Sequence, residues 1–259
     1  MECGTTLDPR IDRDMFDLNQ RATGMIPTLF DNGRFELDPD GLPKNCSHVW
    51  LAYLAAEVYG NADAAVIAIL HNRGRQAQIL ERQLFECKTK AEYYVVNPEE
   101  APLEFLAWPF RDKKFMDDLQ VAKTARRYVA AENAIAIVSR KYPEVPGYAE
   151  KYGFKERPFA DMLGDMSNPD VKKAYAFQYR RKSQTPHGSV TGMQDVLEFN
   201  ETGVTIKFDS RLDTPNIALA EMTMHLISFL DLVDQQLETN RWSEIEPLDK
   251  GLNEMIARL

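Results

Sequence analysis

The sequence of 259 residues has little of what marks secreted, membrane or DNA-wrapping proteins. Its three cysteines show no C-x-x-C spacing, which favours reduced thiols over a disulfide framework. The 31 basic and 40 acidic side chains give a net charge of −9, so we expect no wrapping of duplex DNA. There is no basic-then-apolar signal segment at the start, and no apolar run reaches the roughly 18 residues of a membrane span. We therefore expect a cytoplasmic protein without a membrane partner.

The strong catalytic signatures are also missing. The sequence has no Gly-rich phosphate loop, no H-E-x-x-H, no G-x-S-x-G and no dinucleotide-binding fingerprint. Four histidines are present, and none has a second ligand at metal-binding spacing: His48, His71, His187 and His225. We therefore predict neither a cofactor nor a metal site.

Helical periodicity dominates what is present. Ser47 is the predicted N-cap of a first helix that breaks near Gly60-Asn61. Beyond it, apolar residues recur in steps of three and four, which predicts one helix over 62–95 with Arg73 inside its apolar stripe. We interpret Arg73 as a side chain that snorkels at the edge of the core, and a buried ion pair is the alternative.

Further helices are predicted after Asn97-Pro98. An Ala-rich segment predicts a second long helix from about 113 to 142. Residues 143–167 are rich in Pro and Gly and predict a connector with about one turn of helix. Another helix is predicted over about 169–184. Thr214-Pro215 begins a last long helix, whose two apolar stripes indicate a central position.

The hydrophobic period changes to two within residues 196–208. Val204 and Ile206 alternate with polar residues, and Asn200-Glu201-Thr202-Gly203 supplies a turn, which predicts one small β-hairpin. The predicted fold class is therefore all-α, a multi-helix bundle with one hairpin. We divide the chain into an irregular N-terminal arm (1–46), a helical domain with the hairpin (47–240) and a C-terminal helical tail (241–259).

One short stretch, YRRKSQTPHGS at 179–189, concentrates reactive side chains. Residues 171–188 contain no acid and five basic residues: Lys172, Lys173, Arg180, Arg181 and Lys182. Pro186 disfavours helix in the residue before it, so we expect His187 in the loop that follows a helix end. An arginine and a histidine close together suit phosphate chemistry. The alternative is a basic helix end that complements the helix dipole.

These residues resemble the motifs of a bacterial family of helical proteins of unknown function. The segment with Arg82, Glu86, Tyr93-Tyr94 and Asn97-Pro98 resembles that family's R-x-x-x-E…Y…D/N-P helix. Tyr179, Ser183 and His187-Gly188-Ser189 resemble its Y-x-x-x-S-x-x-x-H-G-S core. The resemblance covers roughly residues 45–240.

The helical core of that family also resembles HEPN domains, whose ribonuclease members carry an R-x(4–6)-H motif. Arg181 and Arg180 both precede His187 at a fitting spacing, although the residue after each arginine is basic instead of the usual polar residue. The resemblance implies a metal-independent ribonuclease of the prokaryotic defence or toxin type, with His187 and one of these arginines as catalytic residues. It also implies a homodimer in which two motifs share one cleft.

The supporting residues follow from the same resemblance. Tyr179, Ser183, Glu86 and Arg82 would orient the catalytic pair, and Lys182 and Lys173 would bind RNA. Alternatively, Arg82 and Glu86 form a surface ion pair one helical turn apart. Two other functions remain open, a non-catalytic helical binding module held by a Tyr179–Ser183–His187 cluster and a small-molecule hydrolase that uses Ser183.

Overall fold

The computed structural model describes residues 8–30, 34–166, 173, 197–200, 203–206 and 214–259. Most of these residues are helical, which confirms the predicted all-α class. The helices are α1 (Arg13–Met25), α2 (Cys46–Leu70), α3 (Gly74–Val96), α4 (Glu100–Leu106), α5 (Trp108–Asp118), α6 (Arg126–Lys141), α7 (Val145–Lys151), α8 (Phe159–Asp165), α9 (Pro215–Leu237) and α10 (Trp242–Ile256). A short 3₁₀ helix, Ile26–Leu29, continues α1.

Two strands lie within the segment where the alternating pattern occurs. Strand β1 (Leu197–Asn200) pairs antiparallel with β2 (Gly203–Ile206), and the register sets Leu197 opposite Ile206. Residues 201–202, between the strands, and the two ends of the predicted hairpin lie outside the described residues.

The chain forms two compact units. The first contains Met1–Asn32, Leu54–Ala91 and Asn168–Leu259, and the second contains Gly33–Tyr53 and Glu92–Ser167. The division into an arm, a helical domain and a tail was made from the sequence, and it stays a prediction.

Helix α9 is the centre of the first unit. Its two apolar stripes are buried at all but two of their positions, because α1 and α10 pack against it. Met224, one of the apolar residues of these stripes, is exposed instead. Helix α1 is joined to α9 by a buried polar contact, in which Asn19 Nδ2 donates to Thr223 Oγ1 at 2.9 Å. The predicted central position of the last long helix is therefore confirmed within this unit.

The prediction of a single helix over 62–95 is wrong. Helix α2 continues through Gly60-Asn61 and ends at Leu70, and α3 begins at Gly74. Between them Asn72 adopts a left-handed φ of 55°, and the Arg73 amide donates to the Ala68 carbonyl at 2.7 Å. This is a Schellman ending, which asparagine tolerates better than most residues. Arg73 is exposed and lies outside both helices. It therefore neither snorkels from an apolar stripe at the edge of the core nor forms a buried ion pair.

The predicted helix over 113–142 is likewise two helices, α5 and α6. Gln120 has a φ of 55°, and the Val121 amide donates to the Met116 carbonyl at 2.9 Å, which ends α5 in the same way. The connector at 143–167 contains two helices, α7 and α8, where about one turn was expected.

Two further predictions concern the N-cap of α2 and the helix over about 169–184. The side chain of Asn45, not that of Ser47, caps α2, because Asn45 Oδ1 accepts from the His48 amide at 3.0 Å. The predicted helix over 169–184 lies outside the described residues except for Lys173, which is helical.

Helices α2 and α9 are long and apolar enough, by length and composition alone, to cross a membrane. This differs from the expectation that no segment would reach that length. In α9, 61% of the most apolar window is buried within the protein, and in α2 44% is buried. A core helix passes the same test, so length and composition are weak evidence for a membrane span.

The left-handed residue at the end of α5 gives a test of this backbone geometry. We expect Gln120→Gly to raise the free energy of unfolding by about 0.5–1 kcal/mol, because glycine adopts a positive φ without the steric cost that other residues have. Gln236→Gly on the exposed side of α9 should instead lower it by about 1 kcal/mol. Denaturant unfolding measures both variants. Destabilisation of equal size by the two substitutions would contradict the assigned geometry.

Candidate functional site

The structure describes three of the nine predicted site residues. Arg82 and Glu86 lie on α3 in the first unit, and Lys173 is helical and exposed. The other predicted site residues lie outside the described residues: Tyr179, Arg180, Arg181, Lys182, Ser183 and His187.

Arg82 and Glu86 are both half-buried and lie one turn apart on α3. Glu86 Oε1 is 3.8 Å from Lys90 Nζ, in the favourable orientation with the acid N-terminal to the base. The contact found for Glu86 is therefore with the next turn of α3 toward the C-terminus, and the surface pair with Arg82 stays a prediction. An i,i+4 pair of this kind contributes only a few tenths of a kcal/mol.

Helix α3 also buries polar side chains near Arg82 and Glu86. Glu81 is 3% exposed and Thr89 is fully buried. On α9, His225 is buried with its ring 5.3 Å from the Phe85 ring. Apolar periodicity did not predict that these polar side chains would be buried on α3. The histidine is therefore a core residue.

One polar cluster of the second unit surrounds Glu104, which is 1% exposed. Its Oε2 accepts from the Tyr148 hydroxyl at 2.8 Å, and its Oε1 lies 2.6 Å from Arg111 Nη1. Burial, and then the charge of Glu104, raise the pKa of Tyr148 and of Tyr94 well above the usual range. Both phenols therefore stay neutral, and the cluster is one ion pair to which the neutral Tyr148 hydroxyl donates.

A second polar cluster surrounds Arg157, which is 6% exposed. Its Nη1 donates to Glu100 Oε2 at 2.5 Å and to the Tyr93 hydroxyl, and its Nη2 donates to Asp165. The guanidinium carbon also lies 4.8 Å from the centre of the Tyr93 ring. Burial opposes the charge of Arg157, but the hydrogen bond and charge of Glu100 outweigh it and raise the pKa of Arg157. The guanidinium is occupied by carboxylates, so this cluster joins helices and offers no open phosphate site.

The first unit has a surface cavity of about 480 Å³ between the end of α1 and α10. Arg241 lines it, but its guanidinium donates to Thr28 Oγ1 at 2.6 Å and to both carboxylate oxygens of Glu244. None of the residues that the sequence singled out lines this cavity. Within the described part of the chain, no group of three or more His, Cys, Asp or Glu is placed to hold a metal ion.

The Glu104 cluster gives a stability test. Glu104→Gln should lower the free energy of unfolding by about 3–5 kcal/mol, because it leaves the Arg111 charge buried without its counter-ion. The double variant Glu104→Leu/Arg111→Met should recover most of this loss, since it removes both charges together. Lys250→Gln, which breaks the exposed 2.9 Å pair with Glu246, is the control and should cost less than about 1 kcal/mol. A small loss for Glu104→Gln would show that the pair is not buried.

Tyr94 gives a pH test. Because its pKa is raised above the unfolded value of about 10, the unfolded chain releases a proton at high pH that the folded chain keeps. Stability is therefore complete below about pH 10 and falls above it. Tyr94→Phe should make this alkaline loss shallower and should not destabilise at pH 7, since the buried hydroxyl has no hydrogen-bond partner among the described residues. Urea unfolding across this pH range measures the effect, with Tyr59→Phe on α2 as the control. An unchanged alkaline slope in Tyr94→Phe would contradict the account.

The sequence matches the model of a family of unknown function, DUF5677, over residues 48–204. The comparison with curated proteins gives no match, and neither does the comparison with solved structures. The matched segment holds more than half of the 259 residues. It includes Arg82 and Glu86 on α3, both polar clusters of the second unit, and the stretch 179–189. The chain therefore belongs to this family of unknown function.

Proposed function

We propose that this chain is a metal-independent endoribonuclease that cleaves RNA through attack of the ribose 2′-hydroxyl. The observation that carries the proposal is the Arg–His spacing of residues 179–189, in which five or six residues separate Arg181 or Arg180 from His187. The stretch lies inside the segment that the family shares. On the HEPN resemblance of this motif we assign the enzyme to the prokaryotic defence or toxin type and to the cytoplasm.

Local charge supports RNA as the substrate. The chain carries a net charge of −9, yet residues 171–188 contain five basic side chains and no acid. A short cationic segment on an acidic protein attracts a phosphate backbone locally without favouring broad wrapping. Lys182 and Lys173 are the proposed RNA-binding residues, and Lys173 is exposed.

The proposed reaction uses the neutral form of His187 as the base. His187 takes the proton of the 2′-hydroxyl while the 2′-oxygen forms a bond to phosphorus. The bond from phosphorus to the 5′-oxygen of the next nucleotide breaks, and that oxygen takes up a proton. The products are a 2′,3′-cyclic phosphate and a 5′-hydroxyl. The guanidinium of Arg180 or Arg181 stabilises the charge that develops on the phosphoryl oxygens.

The remaining assigned residues support this pair. Tyr179 and Ser183 are proposed to orient His187, and Arg82 or Glu86 of α3 to orient the pair from the neighbouring helix of the family pattern. A homodimer is part of the proposal, because two such motifs in one cleft would supply a second histidine for the proton that the leaving oxygen takes up.

The His187→Ala variant tests the proposal. With general acid–base catalysis removed, the cleavage rate in EDTA should fall by about 10²–10⁴-fold. His71→Ala, which removes an exposed histidine from the segment between α2 and α3, is the matched control and should cleave like wild type. A panel of fluorescent RNA oligonucleotides of mixed sequence is the substrate. Absence of cleavage by wild type across the panel, or full activity of His187→Ala, would refute the nuclease.

The same variant separates the nuclease from the binding-module alternative. The basic residue after each arginine and the acidic overall charge favour that alternative. A structural Tyr179–Ser183–His187 cluster predicts that His187→Ala lowers the melting temperature markedly, with no RNA cleavage by either protein. A catalytic histidine predicts lost cleavage with a melting curve close to that of wild type.

A further inference from the structure

One edge of the Arg111 guanidinium has no hydrogen-bond partner in the part of the chain that the structure describes. Its Nη1 lies 2.6 Å from Glu104 Oε1 and also donates to the Glu104 carbonyl at 3.4 Å. The other two nitrogens, Nε and Nη2, are buried and make no hydrogen bond to any described residue. Buried charged donors without an acceptor cost free energy and are rare in folded proteins, so this edge requires an explanation.

The same edge holds a carboxylate in three other arginines of this chain. Nε and Nη2 donate together to the two oxygens of one carboxylate in each of these pairs: Arg10 with Asp8, Arg127 with Asp112, and Arg241 with Glu244. The two N–H bonds are parallel and match the planar carboxylate, which accepts both of them. The unpaired edge of Arg111 therefore has the geometry that binds a carboxylate elsewhere in the same fold.

Tyr94 supplies another donor near Arg111. It is 5% exposed, and its hydroxyl is buried without a hydrogen-bond partner among the described residues. Burial raises the pKa of Tyr94 most, the charge of Glu104 adds to the rise, and the charge of Arg111 opposes it. Both charges therefore lie close enough to act on the hydroxyl. The Trp50 ring is 6.0 Å from the Tyr94 ring, and its buried Nε1 also has no acceptor within the described segments.

The Arg157 cluster shows how the same unit treats a second arginine. The Arg157 guanidinium donates to two carboxylates and to a tyrosine hydroxyl. Arg111 has one carboxylate, that of Glu104, and the described residues supply no second one. A carboxylate at the unpaired edge of Arg111 would give the combination that Arg157 already has, which is one guanidinium with two carboxylates and a phenol.

We infer that Arg111 binds the carboxylate of a small organic acid through Nε and Nη2, with the Tyr94 hydroxyl as a third donor. A carboxylate fits better than a phosphate dianion, because Glu104 already lies against the guanidinium and would repel the second charge. The Arg111 side chain is 13% exposed and that of Glu104 is 1% exposed, so the acid reaches the guanidinium from the surface side. The inference goes beyond the nuclease and does not depend on it.

Acetate is the probe for this site. With ionic strength held constant by sodium chloride, the melting temperature of wild type should rise with acetate concentration and then saturate, because acetate binds only the folded chain. Arg111→Lys keeps a cation beside Glu104 but lacks the fork, so half of the rise should require at least about 10-fold more acetate. Tyr94→Phe should also require about 10-fold more, since one hydrogen bond to a charged group is lost.

Arg126→Lys is the matched control, because Arg126 is exposed at the start of α6, and it should respond to acetate like wild type. The inference would be overturned if wild type showed no saturable rise, or if both Arg111→Lys and Tyr94→Phe responded like wild type. An equal response of wild type to inorganic phosphate would overturn the assignment to carboxylates. Tyr94→Phe decides the case if Arg111→Lys does not fold, because the hydroxyl that it removes has no partner in the described chain.

Nuclear magnetic resonance of the arginine Nε–H groups locates the bound acetate. The Arg111 resonance, identified by its loss in Arg111→Lys, should shift saturably as acetate is added, because its Nε–H gains an acceptor. The Arg127 resonance should not shift, since its Nε already donates to Asp112 at 3.1 Å. A shift of the Arg127 resonance alone, or of neither, would contradict the site.

Discussion

The burial of charge, and the need to pair it, is the constraint on which the second unit depends. Glu104 is almost fully buried, so Arg111 and the Tyr148 hydroxyl must lie within hydrogen-bonding reach of it. These three side chains belong to α4, α5 and α7, and the contact therefore fixes three helices together. An apolar cluster that includes Leu106, Ala107 and Val145 also lies in this unit. In the first unit, a neutral buried hydrogen bond between Asn19 and Thr223 joins α1 and α9.

Sequence patterns predicted helices well where burial is periodic and poorly where a single residue changes the backbone. The Thr214-Pro215 pair predicted the start of α9 at Pro215, and the spacing of apolar residues predicted most of its buried positions. The breaks after α2 and α5 did not, because both depend on a left-handed residue, Asn72 or Gln120, within a segment whose helical propensity is good on both sides. Asparagine is a common residue at such a position, so Asn72 held a weak signal, and Gln120 held none.

The polar clusters could not be predicted, because no local pattern marks them. Glu104 and Tyr148 are 44 residues apart in the sequence, and Arg157 lies in a segment that its prolines and glycines predicted to be a connector. Only the folded chain brings these residues to their partners. The Arg–His stretch shows the opposite case. Residue types and spacing alone suggest its chemistry. The function that they indicate stays a prediction that experiment must decide.

The described clusters and the proposed site also differ in charge. Arg111, Arg157 and Arg241 each pair with a carboxylate within the fold. The stretch 171–188 has no acid in its own sequence that could pair with its basic side chains.

The central claim is that the basic side chains of residues 171–188 serve RNA cleavage through the 2′-hydroxyl. Mass spectrometry of the RNA ends formed in EDTA tests it most directly. The account predicts 2′,3′-cyclic phosphate and 5′-hydroxyl ends, and no cut where a 2′-deoxynucleotide replaces the ribose. Cleavage that proceeds at the deoxynucleotide, or that leaves 5′-phosphate ends, would contradict it.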